Sequence, residues 1–313
     1  LLTTVHTEKA VNNYTLITQG KKLSAITFIG SGSKGNAALL ELGNKYYLLD
    51  AGFSCKKIAE FLASRQLDFS DLSGIFVTHE HEDHSKGLRV ILNKNPELPI
   101  FCTKGTSCAI QKKGVAVKNS IDLKFGSEIE LNGVRCFPFK VPHDATEPTG
   151  LRFEHGGKVM AIATDLGHIT PEVRNHMLDA HLLCIESNYD EDMLRSSIYP
   201  AWLKKRIRSP FGHLPNQGFR GILSRMKQAP EILVLMHVSQ ESNTHSLVEE
   251  TVSSFVQLNR KRFAGTRISV AKQNLPGERL ALKPVLSARI KEKILTQNTF
   301  ENLWPANKFG TNE

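Results

Sequence analysis

The sequence predicts a layered α/β (α+β) fold, and three observations carry that expectation. Short apolar runs rich in branched and aromatic residues recur from residue 25 to residue 237, segments with helical spacing stand between them, and no segment repeats. A chain of 313 residues accommodates one large domain with short appendages.

In chain order, residues 25–30, 37–41 and 45–49 read as strands separated by glycine turns, the last running into Asp50-Ala51-Gly52. Residues 56–65 have helical spacing, with Ile58, Phe61 and Leu62 on one face. Residues 75–78, 100–103, 134–141, 159–164, 182–186 and 231–237 are further strand candidates, whereas 217–226 and 246–259 read as helices. From Lys283 the pattern weakens to one short helix at 288–295, and the end past Asn307 is expected to be loose.

Composition narrows the class. Hydrophobic residues make up 40% of the chain, enough for a sizeable core. No apolar run approaches the ~18 residues of a membrane span, and the opening lacks a basic start followed by an apolar block. Cys55, Cys102, Cys108, Cys136 and Cys184 form no paired framework, so reduced thiols in a cytoplasmic protein are expected. Cys102 and Cys108 raise the thought of a second zinc site, but Cys102 and Cys184 stand in apolar surroundings and read as small core residues. The net charge of +9 and pI near 9.3 suit a polyanionic partner. Charge is densest at Lys204-Lys205-Arg206 with Arg208, a candidate nucleic-acid contact, and at Arg260-Lys261-Arg262; a solvated helix face explains such runs equally well.

The densest chemistry lies in Thr78-His79-Glu80-His81-Glu82-Asp83-His84-Ser85, directly after the apolar Gly74-Ile75-Phe76-Val77. Residues two apart on an extended segment point to one side, so His79 and His81 can grip one cation together. Past the strand end a turn swings Asp83 and His84 toward a neighbouring position. Imidazole mixed with carboxylate suits Zn, Mn or Fe, and no cysteine adjoins to favour a closed structural zinc site. Other predicted strands also end on possible ligands: His143 follows Val141-Pro142, Asp165 follows Thr164, and His237 follows Met236. Strand ends on one edge of a layered sheet converge on a shared crevice. His79, His81 and His143 are therefore candidates for one divalent ion, and Asp83, His84 and His237 for a second, with Asp165 between the two. Asp50 also ends a strand and is a candidate to hydrogen-bond a ligand histidine from behind.

His79-Glu80-His81-Glu82-Asp83-His84 matches the HxHxDH signature of the metallo-β-lactamase superfamily in full, and His143, Asp165 and His237 follow in that family's order. More narrowly, Gly30-Ser31-Gly32-Ser33-Lys34-Gly35-Asn36, Leu49-Asp50-Ala51-Gly52, His143-Asp144-Ala145, Thr164-Asp165 and Gly212-His213-Leu214 resemble the YycJ/WalJ-type exonucleases of bacteria. The resemblance spans residues 23–282. It implies a four-layer αββα sandwich with a dinuclear site along one edge, flanked by an N-terminal extension, 1–22, and a C-terminal tail, 283–313. Tyr189 and Pro215 depart from the pattern, where a histidine and a serine are expected; neither is among the seven ligand candidates.

Two divalent ions, Zn or Mn, lower the pKa of a water held between them and neutralise a phosphodiester's charge. The departing oxygen needs a proton, for which His213, after Gly212 and before the last ligand candidate, is the candidate acid; Asp83 is the ligand candidate assigned a catalytic role. A surface histidine at a helix entry is the plainer reading of His213. Asn216 reads as a cap for the helix predicted from 217, the Gly30 to Asn36 loop as a tight turn at the rim of the site, and His168, His176 and His181 as outside both ligand sets.

The leading function is a metal-dependent DNA nuclease, a 5′–3′ exonuclease in repair or replication by the resemblance. A small-molecule hydrolase of thioesters, lactones or cyclic phosphodiesters on the same fold is the alternative, and a non-catalytic nucleic-acid binder a third. Neither a membrane nor a protein partner is indicated by the sequence.

Overall fold

Alternating apolar residues give a strand two usable faces, and the central strands of this chain bury both. In the computed structural model residues 24–282 are described. The predicted extension 1–22 and the tail 283–313, with its expected short helix, lie outside the described residues. The strands are β1 (Ala25–Gly30), β2 (Ala37–Leu42), β3 (Lys45–Leu49), β4 (Leu72–Phe76), β5 (Ile100–Cys102), β6 (Ser120–Asp122), β7 (Ile129–Leu131), β8 (Val134–Lys140), β9 (Thr149–His155), β10 (Lys158–Ala163), β11 (Leu182–Glu186), β12 (Ile232–Met236), β13 (Arg267–Val270) and β14 (Leu280–Ala281). The helices are α1 (Cys55–Ser64), α2 (Glu82–Ser85), α3 (Leu88–Lys94), α4 (Lys104–Lys112), α5 (Pro171–Met177), α6 (Glu191–Ser196), α7 (Ala201–Ile207), α8 (Arg220–Leu223), α9 (His245–Leu258) and α10 (Arg260–Phe263). None of the described helices is long and apolar enough to cross a membrane.

Two seven-stranded sheets result, ordered β14-β1-β2-β3-β4-β5-β6 and β13-β12-β11-β10-β9-β8-β7. In the first, pairings from β14 to β3 are antiparallel and those from β3 to β6 parallel. The second repeats that pattern, antiparallel from β7 to β10 and parallel from β10 to β13. The halves thus share a topology although the sequence shows no repeat, because many apolar sequences of suitable volume fill the same pattern of buried faces.

Side chains of both sheets meet between them. Ile26, Leu40 and Phe76 of the first face Phe153, Met160, Ile162 and Val234 of the second. Phe76 stacks on Phe101 at 4.7 Å and meets the edge of Phe153 at 5.4 Å, so an aromatic contact crosses the gap. The opposite faces carry helices: α1, α3 and α4 cover the first sheet through Ile58, Leu62, Ile91 and Ile110. Residues of α5, α8, α9 and α10, among them Val173, Ile222, Val252 and Phe263, cover the second. The molecule is a four-layer αββα sandwich.

Two departures from the expected elements stand out: β9 is a strand where none was expected, and the helix predicted over 217–226 contracts to α8. Gly218 and Gly221 weaken helical propensity there, and a Cβ at Gly218 would meet Leu214 Cγ at 2.2 Å. The chain therefore turns tightly before the helix starts.

Candidate metal centre

Six strands of the two sheets deliver their C-terminal ends to one edge. From the first sheet come Asp50 after β3 and the His79 to His84 segment after β4; from the second come His143 after β8, Asp165 after β10, Glu186 ending β11 and His237 after β12. Asp50, Asp165 and His237 have left-handed backbones, with φ of 56°, 51° and 56°. Such angles are costly for residues with a Cβ, and here each turns a polar side chain from the strand line into the crevice.

His79, His81 and His143 offer nitrogens within 4.8 Å of one another. The His79 Nδ1 lies 3.1 Å from the Thr78 hydroxyl, which itself donates to Asp50 Oδ2 at 2.9 Å, so the imidazole N–H belongs on Nδ1. His79 Nε2 is then a lone pair, buried and without a hydrogen-bond partner. His143 Nδ1 donates to the Gly212 carbonyl at 3.1 Å, which turns Nε2 to within 3.2 Å of His81 Nδ1. A buried orphan nitrogen facing two more imidazoles fits a divalent cation and little else.

Asp83, His84, Asp165 and His237 form the second set, again within 4.8 Å. His84 Nδ1 donates to Asp50 Oδ2 at 2.7 Å, leaving Nε2 at 3.1 Å from Asp165 Oδ2 and 3.4 Å from Asp83 Oδ2. His237 Nε2 lies 3.3 Å from Asp83 Oδ2. Asp165 faces both sets, because its other oxygen is 3.7 Å from His143 Nε2. Two oxygens turned in two directions are what a carboxylate shared between neighbouring ions requires.

Buried charge is compensated within this group. Burial alone would lower the pKa of His237, but Asp165, with hydrogen bonds to Asp83 and Glu186, outweighs it and raises the imidazole to about 10. His84 is likewise raised against burial, by Asp165, Asp50 and Asp83. Burial would raise Asp165 and Asp83, yet the neighbouring histidines hold both below the usual carboxylate range. For His79 and His143 burial, helped by the neighbouring histidines, outweighs the pull of Asp165 and lowers both, keeping them neutral and able to ligate.

Several supporting residues escape a reading by motif. Glu186 is fully buried: Oε1 accepts from His213 Nδ1 at 2.8 Å and His237 Nδ1 at 2.7 Å, while Oε2 accepts the backbone N–H groups of Leu166 and Leu214. Its position at the end of a wholly apolar strand was the available signal. Asn36, in the glycine-rich loop, reaches Asp83 Oδ2 at 3.3 Å and His84 Nε2 at 3.1 Å through Nδ2, and its Oδ1 accepts from Ser31 Oγ. Ser31 Oγ in turn accepts from the His237 N–H at 2.9 Å, so the loop aligns ligands from both sheets. Glu80 accepts from Thr146 N and Oγ1, tying the loop after His143 to the histidine segment.

His213 stands beside both sets, its ring 5.3 Å from His143 and 5.2 Å from His237. Gly212 acts by close approach and not by flexibility: a Cβ there would sit 2.2 Å from the Ile207 carbonyl oxygen. The expected helix cap at Asn216 is corrected. Its side chain is buried, accepting from Ser187 Oγ and donating to Asn243 Oδ1, because α8 begins only at Arg220.

The basic residues Lys204, Lys205 and Arg206 lie on α7, with Arg208 just after it, and three of the four have partners within the chain. Arg206 grips Asp144 through Nε at 2.5 Å and Nη2 at 3.0 Å, Arg208 reaches Glu191 at 2.9 Å, and Lys204 donates to the Arg195 carbonyl at 2.7 Å. Tyr189 and Pro215 are adjacent, joined by an isolated parallel bridge. His176 stacks on Phe139 and His181 accepts from Val159 N–H, outside both ligand sets, and His168 Nδ1 donates to the Pro210 carbonyl. Cys102 and Cys184 are buried, and among the described residues no metal-suited cluster contains a cysteine.

Comparison with known proteins agrees with this geometry. Residues 45–238 match the β-lactamase superfamily domain. The chain is 30% identical to Exodeoxyribonuclease YycJ of Bacillus anthracis over 232 residues, 73% of this chain and 88% of that one. It is 32% identical to Exodeoxyribonuclease WalJ of Streptococcus pneumoniae serotype 2 over 233 residues, 72% and 86% of the two chains. Among solved structures, the metallo-β-lactamase fold protein YhfI from Bacillus subtilis superposes with a TM-score of 0.63 at 16% identity, covering 82% of this chain and all of that one.

Proposed function

The chain belongs to the β-lactamase superfamily and is a metal-dependent hydrolase, and from that premise we propose that its substrate is DNA, cleaved as an exonuclease from the 5′ end in repair or replication. The observation that carries the reading is the pair of adjoining ligand sets with Asp165 turned toward both. His79, His81 and His143 would hold one divalent ion, Zn or Mn, and Asp83, His84 and His237 the other. When bound, such ions activate water near neutral pH and neutralise charge on the phosphodiester.

The chain's own groups do the rest. Asp50, Thr78 and Gly212 fix which nitrogen each ligand histidine presents. Glu186 holds His213 by Nδ1, so Nε2 is the atom that hands a proton to the departing sugar oxygen. Five free cysteines suit a reducing cytoplasm, where DNA is also at hand.

The protein loaded with Mn or Zn and offered 5′-labelled and 3′-labelled single strands and duplexes, a chromogenic phosphodiester and a thioester should digest DNA from the 5′ end. Cleavage of the thioester alone would overturn the reading in favour of the small-molecule alternative. Asp83→Asn should abolish hydrolysis and leave DNA binding largely intact; normal turnover by that variant would refute the metal-centred mechanism.

A further inference from the structure

Exposed apolar side chains recur on one stretch of chain that runs to the loop after His143. Among the described residues, the exposed large hydrophobic side chains Ile198, Trp202 and Phe211 fall within one short stretch, residues 198–211, whereas Val90, Leu258 and Leu275 are dispersed. Trp202 is 67% exposed and Phe211 57%. Rings left in water forgo the gain of burial, so two of them on one short stretch call for an occupant.

Helix α7 fixes where they point. Leu203 and Ile207 pack against Tyr189 and Leu194, and the opposite side, at i, i+3 and i+4, presents Trp202, Lys205 and Arg206. Arg206 ties that face to Asp144, the residue after His143. The Asp144 N–H donates to the Phe211 carbonyl at 3.0 Å. Phe211 and His143 together line a cleft of about 950 Å³, with Phe125 and Lys140 also in its wall. Both aromatic rings are thereby coupled to the loop that carries a metal-ligand candidate.

Aromatic rings interleaved with cations are the surface that unpaired nucleic acid takes: bases stack on rings while phosphates follow the charge. We infer that Trp202 and Phe211 form a base-stacking platform that leads an unpaired DNA strand to the metal centre, Lys205 tracking its phosphates. A duplex keeps its bases stacked on one another, so the platform engages a single strand or a frayed end. This rests on the nuclease reading and adds to it the strandedness of the substrate.

Trp304→Phe leaves Trp202 as the only tryptophan, since the chain has two. In that background the metal-loaded protein is titrated with a digestion-resistant phosphorothioate oligothymidine, an abasic strand of equal length and a blunt duplex. Oligothymidine should quench Trp202 and the abasic strand should not. Trp202→Ala and Phe211→Ala should each weaken oligothymidine binding ~5- to 150-fold, leaving the salt slope unchanged, because stacking releases no counterions. Trp202→Phe and Phe211→Tyr should retain most of the affinity. Equal affinity for oligothymidine and abasic strand, or the same loss on duplex as on single strand, overturns the platform. Quenching without digestion of any DNA sinks the nuclease reading alone, and digestion without quenching sinks the platform alone.

Discussion

At the residue scale the centre depends on which nitrogen each histidine presents, and Asp50 settles this for two of them. It accepts from His84 Nδ1 directly and, through the Thr78 hydroxyl, sets the tautomer of His79. Asp50→Ala should therefore lower metal affinity ~10- to 100-fold without removing a ligand. Metal titration against a competing chelator measures this, and an unchanged affinity would remove Asp50 from the site. The seven ligand candidates were legible because His79, His143, Asp165 and His237 come at the ends of apolar runs, and spacing separates His79 and His81 from Asp83 and His84. Glu186 shares the strand-end position of the ligand candidates, but its role, like that of Asn36, was not legible. Their roles depend on strands from distant parts of the chain arriving at one place, and nothing in Ile185-Glu186-Ser187 or Gly35-Asn36-Ala37 says which histidine will stand opposite. The left-handed backbones of Asp50, Asp165 and His237 were hidden for the same reason, since only the assembled sheets impose them.

At the element scale, strands whose faces are both buried were readable from their apolar runs, as at β1, β11 and β12. Most of the pieces that escaped are short or half-exposed; β9 is an exception, seven residues long and mostly buried, its apolar residues broken up by Gly150, Arg152 and Glu154. The strand β6 has no fully buried residue, and α4 buries Thr106, Ser107 and Ile110, only one of them a large apolar residue, so no apolar stripe marks it. The turn after β3 is the element on which the second ligand set leans. Asn36 N–H donates to the Asp83 carbonyl at 2.7 Å and Gly52 N–H to the Asn36 carbonyl at 2.8 Å, which brings three segments so close that a Cβ at Gly52 would lie 1.7 Å from Asp83 O. Gly52→Ala must push the Asp83 segment away, and such overpacking costs ~1–3 kcal/mol. A lower melting temperature with reduced metal content is expected. Gly265→Ala, where a Cβ meets nothing within 4 Å, is the control and should stay within ~0.5 kcal/mol of the parent. Indistinguishable melting and metal content in the two variants would show that the contact is not rigid.

At the scale of the whole molecule, the two topologically matched halves meet at the candidate metal centre, one bringing His79 to His84 and the other His143, Asp165 and His237. Bound ions would therefore tie the halves together, and their removal should lower the melting temperature of the entire sandwich. The size of that drop must depend on pH. In the metal-free protein the carboxylates hold His84 and His237 protonated. Because these pKa values are raised, the stabilisation is complete below the ~6.5 of an unfolded histidine and is lost as pH climbs toward about 10 for His237. Asp83 and Asp165 run the other way. Their pKa values are depressed, so their contribution is full above ~3.9 and lost as pH falls toward the folded values. The contribution of these four groups is thus highest between about pH 4 and 6.5, while His79 and His143, whose pKa values burial lowers, work against the fold as pH drops below ~6.5. Metal binding requires neutral imidazoles and releases their protons, so it strengthens across the range in which the metal-free protein weakens. The difference in melting temperature between metal-loaded and chelator-treated protein should therefore widen steadily from pH 6.5 to pH 9. A difference that stays constant or narrows over that range would mean that His84 and His237 are not protonated in the metal-free fold.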